Sequence, residues 1–178
     1  MQTHRLIPHR ATPALGVSGI GVRLRPLRGG RLMLRWRIDD AQQVVLPPEA
    51  PPARTDRLWE KTCLELFLAD GRGRYREFNF SPSGQWAAYA FKGYRKPLGD
   101  LAMAEPPAIL TEMGNSVLAM AVFVPLELFD GAKAMGLSAV IEERGGHKSY
   151  WALRHRGATP DFHNATCFAY RFGAAAPA

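Results

Sequence analysis

The chain has 178 residues, 47% of them hydrophobic and 10% aromatic, which is enough for one domain with a sizeable core and excludes wholesale disorder. Its net charge of +7 rests mostly on scattered arginines without a run of five basic residues, so the charge speaks to association in general and gives no specific reason to expect nucleic acid as partner. No segment reaches the roughly 18 apolar residues of a membrane span, the N-terminus lacks a signal-type apolar stretch, and the expectation is a cytoplasmic protein.

Residues 1–14 read as an N-terminal arm, 15–173 as one domain and 174–178 as a frayed tail. Within the domain, short strands alternate with turns. Ile20 to Leu27 sets Val22 and Leu24 against Arg23 and Arg25. Arg31 to Ile38 sets Leu32, Leu34, Trp36 and Ile38 against three arginines and Met33. This period of two predicts two half-buried strands joined at Gly29-Gly30. Leu46 to Pro52 is Pro-rich and predicts an extended loop over one end of the fold. Thr62 to Leu68 is apolar on both faces and predicts a central strand, with Tyr75 to Ser81 returning beside it and Gln85 to Phe91 third in a meander. Ile109 to Thr111 and Val117 to Val124 form a further hairpin, Pro125 to Phe129 a short helical turn, and Leu137 to Glu142, Ser149 to Leu153 and Thr166 to Phe172 complete the set. About nine or ten strands with no long helix predict an all-β, antiparallel β-sandwich of immunoglobulin or jelly-roll type.

The sequence carries no P-loop, no HExxH and no GxSxG, and Gly16 to Gly21 is not followed by a helix, so the common catalytic signatures are missing. Four constellations remain. Trp59 with Glu65, Glu77 and Asn79 offers a flat aromatic face beside carboxylate and amide groups, the chemistry that holds a pyranose ring and its hydroxyls. The plain alternative is that Trp59 plugs the edge of the core while the acids pair with nearby arginines. Trp86, Tyr89, Tyr94 and Arg95 follow on the third strand of the meander, Tyr94 and Arg95 at its end as hydroxyl and carboxylate partners and Trp86 as core. His155, Asp161 and His163 are metal-ligand types whose spacing fits no known site, and with Phe162 and Asn164 they read better as loop fastenings or ligand contacts. Cys63 and Cys167 read as buried, inert thiols. Glu65 and Glu77 would serve as a hydrolytic acid pair only on a shared face, and the hairpin register is not fixed by sequence.

The stretches Leu58-Trp59-Glu60-Lys61-Thr62-Cys63-Leu64-Glu65-Leu66-Phe67-Leu68 and Tyr75-Arg76-Glu77-Phe78-Asn79-Phe80-Ser81-Pro82-Ser83-Gly84 resemble the core hairpin of the DOMON-like superfamily. The resemblance is greatest to family 9 carbohydrate-binding modules and stand-alone bacterial DOMON-like proteins, and it extends through Trp151 to His155 and Asp161 to Phe168. It implies a non-catalytic module that holds a saccharide or another sugar-containing metabolite at one end of the sandwich, and the basic balance with its arginine forks adds sugar phosphates to the expected ligands. Trp59 would stack, Glu65 and Arg95 would take hydroxyls, and Phe162, His163 and Asn164 would form the opposite wall. Other members of the superfamily bind haem through Met and His, a role that would fall here to His147, His155 or His163 with Met103 or Met113. A protein-interaction domain without a small-molecule ligand is the remaining alternative. No cofactor is expected for the saccharide reading.

Overall fold

Period-two alternation sends one set of side chains inward and leaves the other set outside, and the strands pair accordingly. A computed structural model describes residues 3–173; the tail at 174–178 lies outside them. It contains twelve strands: β1 (Thr3–Pro8), β2 (Gly19–Leu27), β3 (Arg31–Asp39), β4 (Cys63–Ala69), β5 (Tyr75–Phe80), β6 (Trp86–Gly93), β7 (Lys96–Asp100), β8 (Ala108–Met113), β9 (Val117–Pro125), β10 (Ala134–Glu143), β11 (His147–Ala152) and β12 (Tyr170–Arg171). The helical elements among the described residues are short 3-10 turns, at Ala41–Gln43, Leu58–Glu60, Leu126–Phe129 and Ala165–Cys167. The expected all-β sandwich is therefore found, with strands β1 and β7 in addition to those read from the sequence. Among the described residues, no helix is long and apolar enough to cross a membrane.

Two antiparallel layers share one strand. The first runs β8-β9-β3-β2-β1 and the second β7-β6-β5-β4-β10-β11-β1. Thr3 to Leu6 pairs with β2, whereas Ile7 and Pro8 pair with β11, so the strand turns the corner between layers. Part of what reads as an N-terminal arm thus belongs to the sheet. The expected strand over Thr166 to Phe172 is instead a 3-10 turn capped by Asn164, followed by the two-residue β12 against Ala134 and Met135 of β10.

Leu34, Trp36 and Ile38 of β3 face Leu64, Leu66, Phe78 and Phe80 of the other layer across a shared core, with Leu118, Met120 and Val122 of β9 beside them. Each such side chain removed from water contributes roughly 1.5–3 kcal/mol, which fixes the strand register because a one-residue slip would turn the whole set outward. The consequence for function lies on the other side. Once Leu64, Leu66 and Leu68 take the core face of β4, Cys63, Glu65 and Phe67 must point away from the core.

Candidate functional site

The outward faces of β4, β5, β6, β10 and β11 form the floor of a cavity of about 390 Å³. Pairing sets its layout. Glu65 stands opposite Asn79 and Phe67 opposite Glu77, so the two acids are diagonal neighbours on one face, and Glu77 lies opposite Tyr89 on β6. Val140 of β10 and Tyr150 of β11 extend the floor on the far side. The site therefore sits on the outer face of one sheet, not at an end of the sandwich as the sequence led us to expect.

Three segments raise walls around that floor. Leu58 tucks against Cys63 and Ala87, which pins the 58–60 turn and leaves the next residue, Trp59, 41% exposed over the cavity and edge-on to Tyr89 at 6.1 Å between centroids. Phe162, in the loop after β11, packs beside Tyr150 with centroids 6.0 Å apart. Arg95, in the turn after β6, donates from Nη2 to Asp161 Oδ1 at 2.9 Å, while Tyr94 OH donates to Asp161 Oδ2 at 2.8 Å, so the two walls are tied together. Arg57 and Arg95 hold left-handed backbones, φ 63° and 49°, without being glycine. Such strain costs of order 1–3 kcal/mol each and concentrates where a binding geometry must be held, and here it flanks the cavity on both sides.

The floor is electrostatically unusual. Glu65 and Glu77 are 2% and 5% exposed, and neither is neutralised by an arginine contact, contrary to the plain sequence alternative. Burial, with Glu77 close by, pushes the Glu65 carboxyl well above the usual range, and Ser138 Oγ donates to its Oε2 at 2.9 Å. Burial also lifts Glu77 to about 7, offset in part by Asn79 Nδ2, which donates to its Oε1 at 3.0 Å, and by the Arg95 charge. Burial and the Arg95 charge depress His163 to about 4, so its ring is neutral. Tyr75 OH accepts from the Arg95 amide at 3.1 Å and meets His163 Nδ1 at 2.8 Å. The other ring nitrogen, His163 Nε2, lies 3.8 Å from Glu77 Oε2. At neutral pH a protonated carboxyl both donates and accepts, which a carboxylate cannot do.

Of the residues singled out from the sequence, Trp59, Glu65, Glu77, Tyr89, Arg95, Asp161, Phe162 and His163 line this cavity. Asn79 does not: it is fully buried beside the acids on the same face, with Oδ1 lacking a partner among the described residues. Tyr94 stands outside as a tie to Asp161, and Asn164 spends its Oδ1 on Thr166 N and Oγ1 at 3.0 and 2.8 Å. The lining residues left out of that set are Phe67, Phe91, Pro97, Val140, Tyr150 and Pro160. A period-two reading of β6 outward from Tyr89 would have found Phe91, since Ala88 takes the core face.

No set of three or more metal-ligating side chains is brought together among the described residues. His155 donates from Nε2 to the Ile7 carbonyl at 2.9 Å, and Asp161 is occupied by Tyr94 and Arg95, so the His155, Asp161 and His163 set is not assembled. The residues do not fit haem either. His163 is the one histidine on the cavity, its Nδ1 is bonded to Tyr75, and among the described residues no methionine lines the wall; His147 is turned to the Pro13 carbonyl, and Met113 lies on the edge strand β8. Cys63 faces Val140 on β10, while the Cys167 carbonyl lies by Gly136 four residues along the same strand, so the two thiols are not neighbours; both are free, and burial raises their pKa, Cys167 to about 11.

Together these features define a β-sandwich with an aromatic-walled, acid-floored cavity on one sheet face. No protein-family model matches the chain, and no curated protein matches it. Among solved structures, a "putative carbohydrate-binding protein" from Bacteroides uniformis ATCC 8492 is similar, with a TM-score of 0.61 at 15% identity over 96% of this chain and 84% of that one. At that identity the likeness shows a shared fold.

Proposed function

We propose that the protein is a non-catalytic module that binds a saccharide in the cavity bounded by Trp59, Tyr89, Tyr150 and Phe162, as a relative of the DOMON-like and family 9 carbohydrate-binding modules. The observation that carries this reading is the combination of aromatic walls with two buried carboxyls on the floor, whose burial favours the protonated form. A pyranose ring presents apolar C–H faces to aromatics and hydroxyls at its edge, and each hydroxyl needs both a donor and an acceptor. The cavity volume of about 390 Å³ suits a mono- or disaccharide. A neutral sugar fits better than a sugar phosphate, because Arg95, the one arginine on the cavity, is already held by Asp161 while two acids lie below. The fold shared with a protein described as carbohydrate-binding supports the same direction.

Glu65 and Glu77 rise from adjacent strands on a single floor, so a bound sugar would meet both from one side. Glycosidic hydrolysis needs its two carboxyls to flank the scissile bond, which argues for holding rather than cutting.

Trp59 is the most exposed tryptophan, since Trp36 and Trp151 are buried and Trp86 packs against the core. Its fluorescence therefore reports the cavity. Titration with a panel of mono- and disaccharides should give saturable quenching by one class, and Trp59→Phe should abolish that signal without changing the thermal midpoint. A folded protein that shows no response to millimolar sugar across the panel, and no binding by calorimetry, would sink the proposal.

A further inference from the structure

The outer face of the other sheet carries a second concavity, of about 380 Å³, with a different chemistry. Because Leu6, Val22, Leu34, Trp36 and Ile38 point into the core, the alternate residues of β1, β2 and β3 point out. These outward positions place Arg5 and Arg37 on either side of Gly21 in one cross-strand row, and Arg23 directly opposite Arg35 in the next. All four arginines are exposed and line the concavity. The sole acid on its wall is Asp39, which accepts from Arg37 Nε at 2.7 Å. Arg23 makes one hydrogen bond, from Nε to Thr3 Oγ1 at 2.8 Å, and among the described residues neither Arg5 nor Arg35 has a carboxylate partner.

Two features of this arrangement are not explained by folding. Like charges placed directly opposite on neighbouring strands destabilise the pair, and Arg23 against Arg35 is such a pair. Gly21 weakens the strand it occupies, yet its backbone does not need a glycine: its φ is not in the left-handed region, and an added Cβ would meet only the end of the Thr3 side chain, at 3.2 Å. What the glycine does provide is the depression between Arg5 and Arg37.

We infer that this concavity is a binding site for a short run of phosphate groups, the chemistry shared by a linear oligophosphate and the tail of a nucleoside triphosphate. Guanidinium forks bind phosphate oxygens bidentately, and four of them around a glycine floor hold adjacent phosphates while the anion relieves the Arg23–Arg35 repulsion. The concavity of about 380 Å³ has Thr3 and Asp39 at its margins, which fits a ligand of a few phosphates better than a long polyanion lying across the sheet. It lies on the opposite layer from the aromatic cavity, so it stands or falls independently of saccharide binding.

Calorimetric titration of the full chain with sodium tripolyphosphate tests this, with orthophosphate, ATP and a thymidine twenty-mer as comparisons. Tripolyphosphate should bind at one site, orthophosphate far more weakly, and ATP about as well as tripolyphosphate. The double variant Arg23→Gln/Arg35→Gln should lose at least about tenfold in affinity, as expected for removed charge-assisted hydrogen bonds. Gly21→Val, which leaves the charge unchanged, should lose a similar factor, whereas Arg28→Gln in the neighbouring turn should not alter binding. Melting curves establish that each variant is folded. Absence of tripolyphosphate binding, binding that survives in the double variant or in Gly21→Val, binding of ATP without tripolyphosphate, or tighter binding of the twenty-mer that persists in Gly21→Val would each overturn the inference.

Discussion

Glu77→Gln converts the buried acid of the cavity floor into a neutral isostere, and its effect on stability depends on pH in a direction set by the structure. The Glu77 pKa rises from 4.5 to about 7 on folding because burial penalises the charged form. The folded chain therefore binds a proton at this site more tightly than the unfolded chain, and stability contributed by the protonated form is complete below 4.5 and lost as pH rises through 7. The full loss is about 3 kcal/mol, since each tenfold gain in proton affinity on folding corresponds to about 1.4 kcal/mol. Glutamine resembles the protonated acid at every pH and keeps an oxygen for Asn79 Nδ2, so the variant escapes this loss. The two proteins should match near pH 4.5, and the variant should be the more stable by about 3 kcal/mol at pH 8.5, or roughly 6–12 °C in melting temperature for a chain of this size. Thermal melts across this range, taken as the difference between the two proteins, cancel the shared groups that Glu77 does not touch; Glu65, relieved of the Glu77 charge in the variant, adds to the difference with the same sign. A flat difference curve, or a wild type that gains on the variant as pH rises, would refute the reasoning and place an unrecognised counter-charge beside Glu77.

His163 should show the opposite sign. Its pKa falls from 6.5 to about 4, so wild-type stability present above 6.5 is lost as pH falls through 4, and His163→Gln should gain on the wild type over that window by about 3 kcal/mol in melts of the same design. Gly136→Ala places a Cβ 2.8 Å from Phe168 Cδ1 and 3.3 Å from the Cys167 carbonyl; overpacking of this kind costs about 1–3 kcal/mol by chemical denaturation, and the displaced 161–168 loop should weaken any ligand bound against Phe162. Asp161→Asn removes the charge that holds Arg95 and Tyr94 across the cavity rim. Loss of such charged hydrogen bonds should cost about 1.5–3 kcal/mol locally, read as faster amide exchange in residues 161–164 with the β3 and β9 amides unchanged.

The two layers were legible where one face is wet. Strand β3 pairs leucine, tryptophan and isoleucine against arginine, and that contrast alone identifies its core side, as the structure bears out. Strand β7 escaped because Lys96 to Asp100 is exposed throughout, so burial imposes no periodicity on its sequence. Strand β1 escaped for a different reason: its one buried residue is Leu6, and its place is set by pairing with β2 on one half and β11 on the other, which no local pattern encodes. The last strand shrank because Pro160 and the Asn164 cap bind the chain into a turn, leaving Tyr170 and Arg171 to pair.

The site was half legible for a related reason. Trp59, Glu65 and Glu77 drew notice because a tryptophan and two acids are out of place beside a central strand. Phe67, Phe91 and Tyr150 are ordinary strand residues, and in sequence an aromatic that lines a cavity looks the same as one that fills a core. The distinguishing mark is arithmetic. On β4 Leu66 and Leu68 on either side of Phe67 occupy the core, and on β6 Ala88 does, so Phe67 and, in step with Tyr89, Phe91 must face outward, where a sheet face in water would otherwise carry polar groups. An outward aromatic on a strand with a complete inner face has to be covered by the same chain or by a ligand. Phe162 and the 154–164 loop cover part of this set, Trp59 overhangs another part, and the space between them is the cavity. Burial at Glu65 and Glu77 follows from the same partial cover, so the shifted acids and the aromatic walls have a single cause: a second apolar face on one sheet, closed by loops that stop short of filling it.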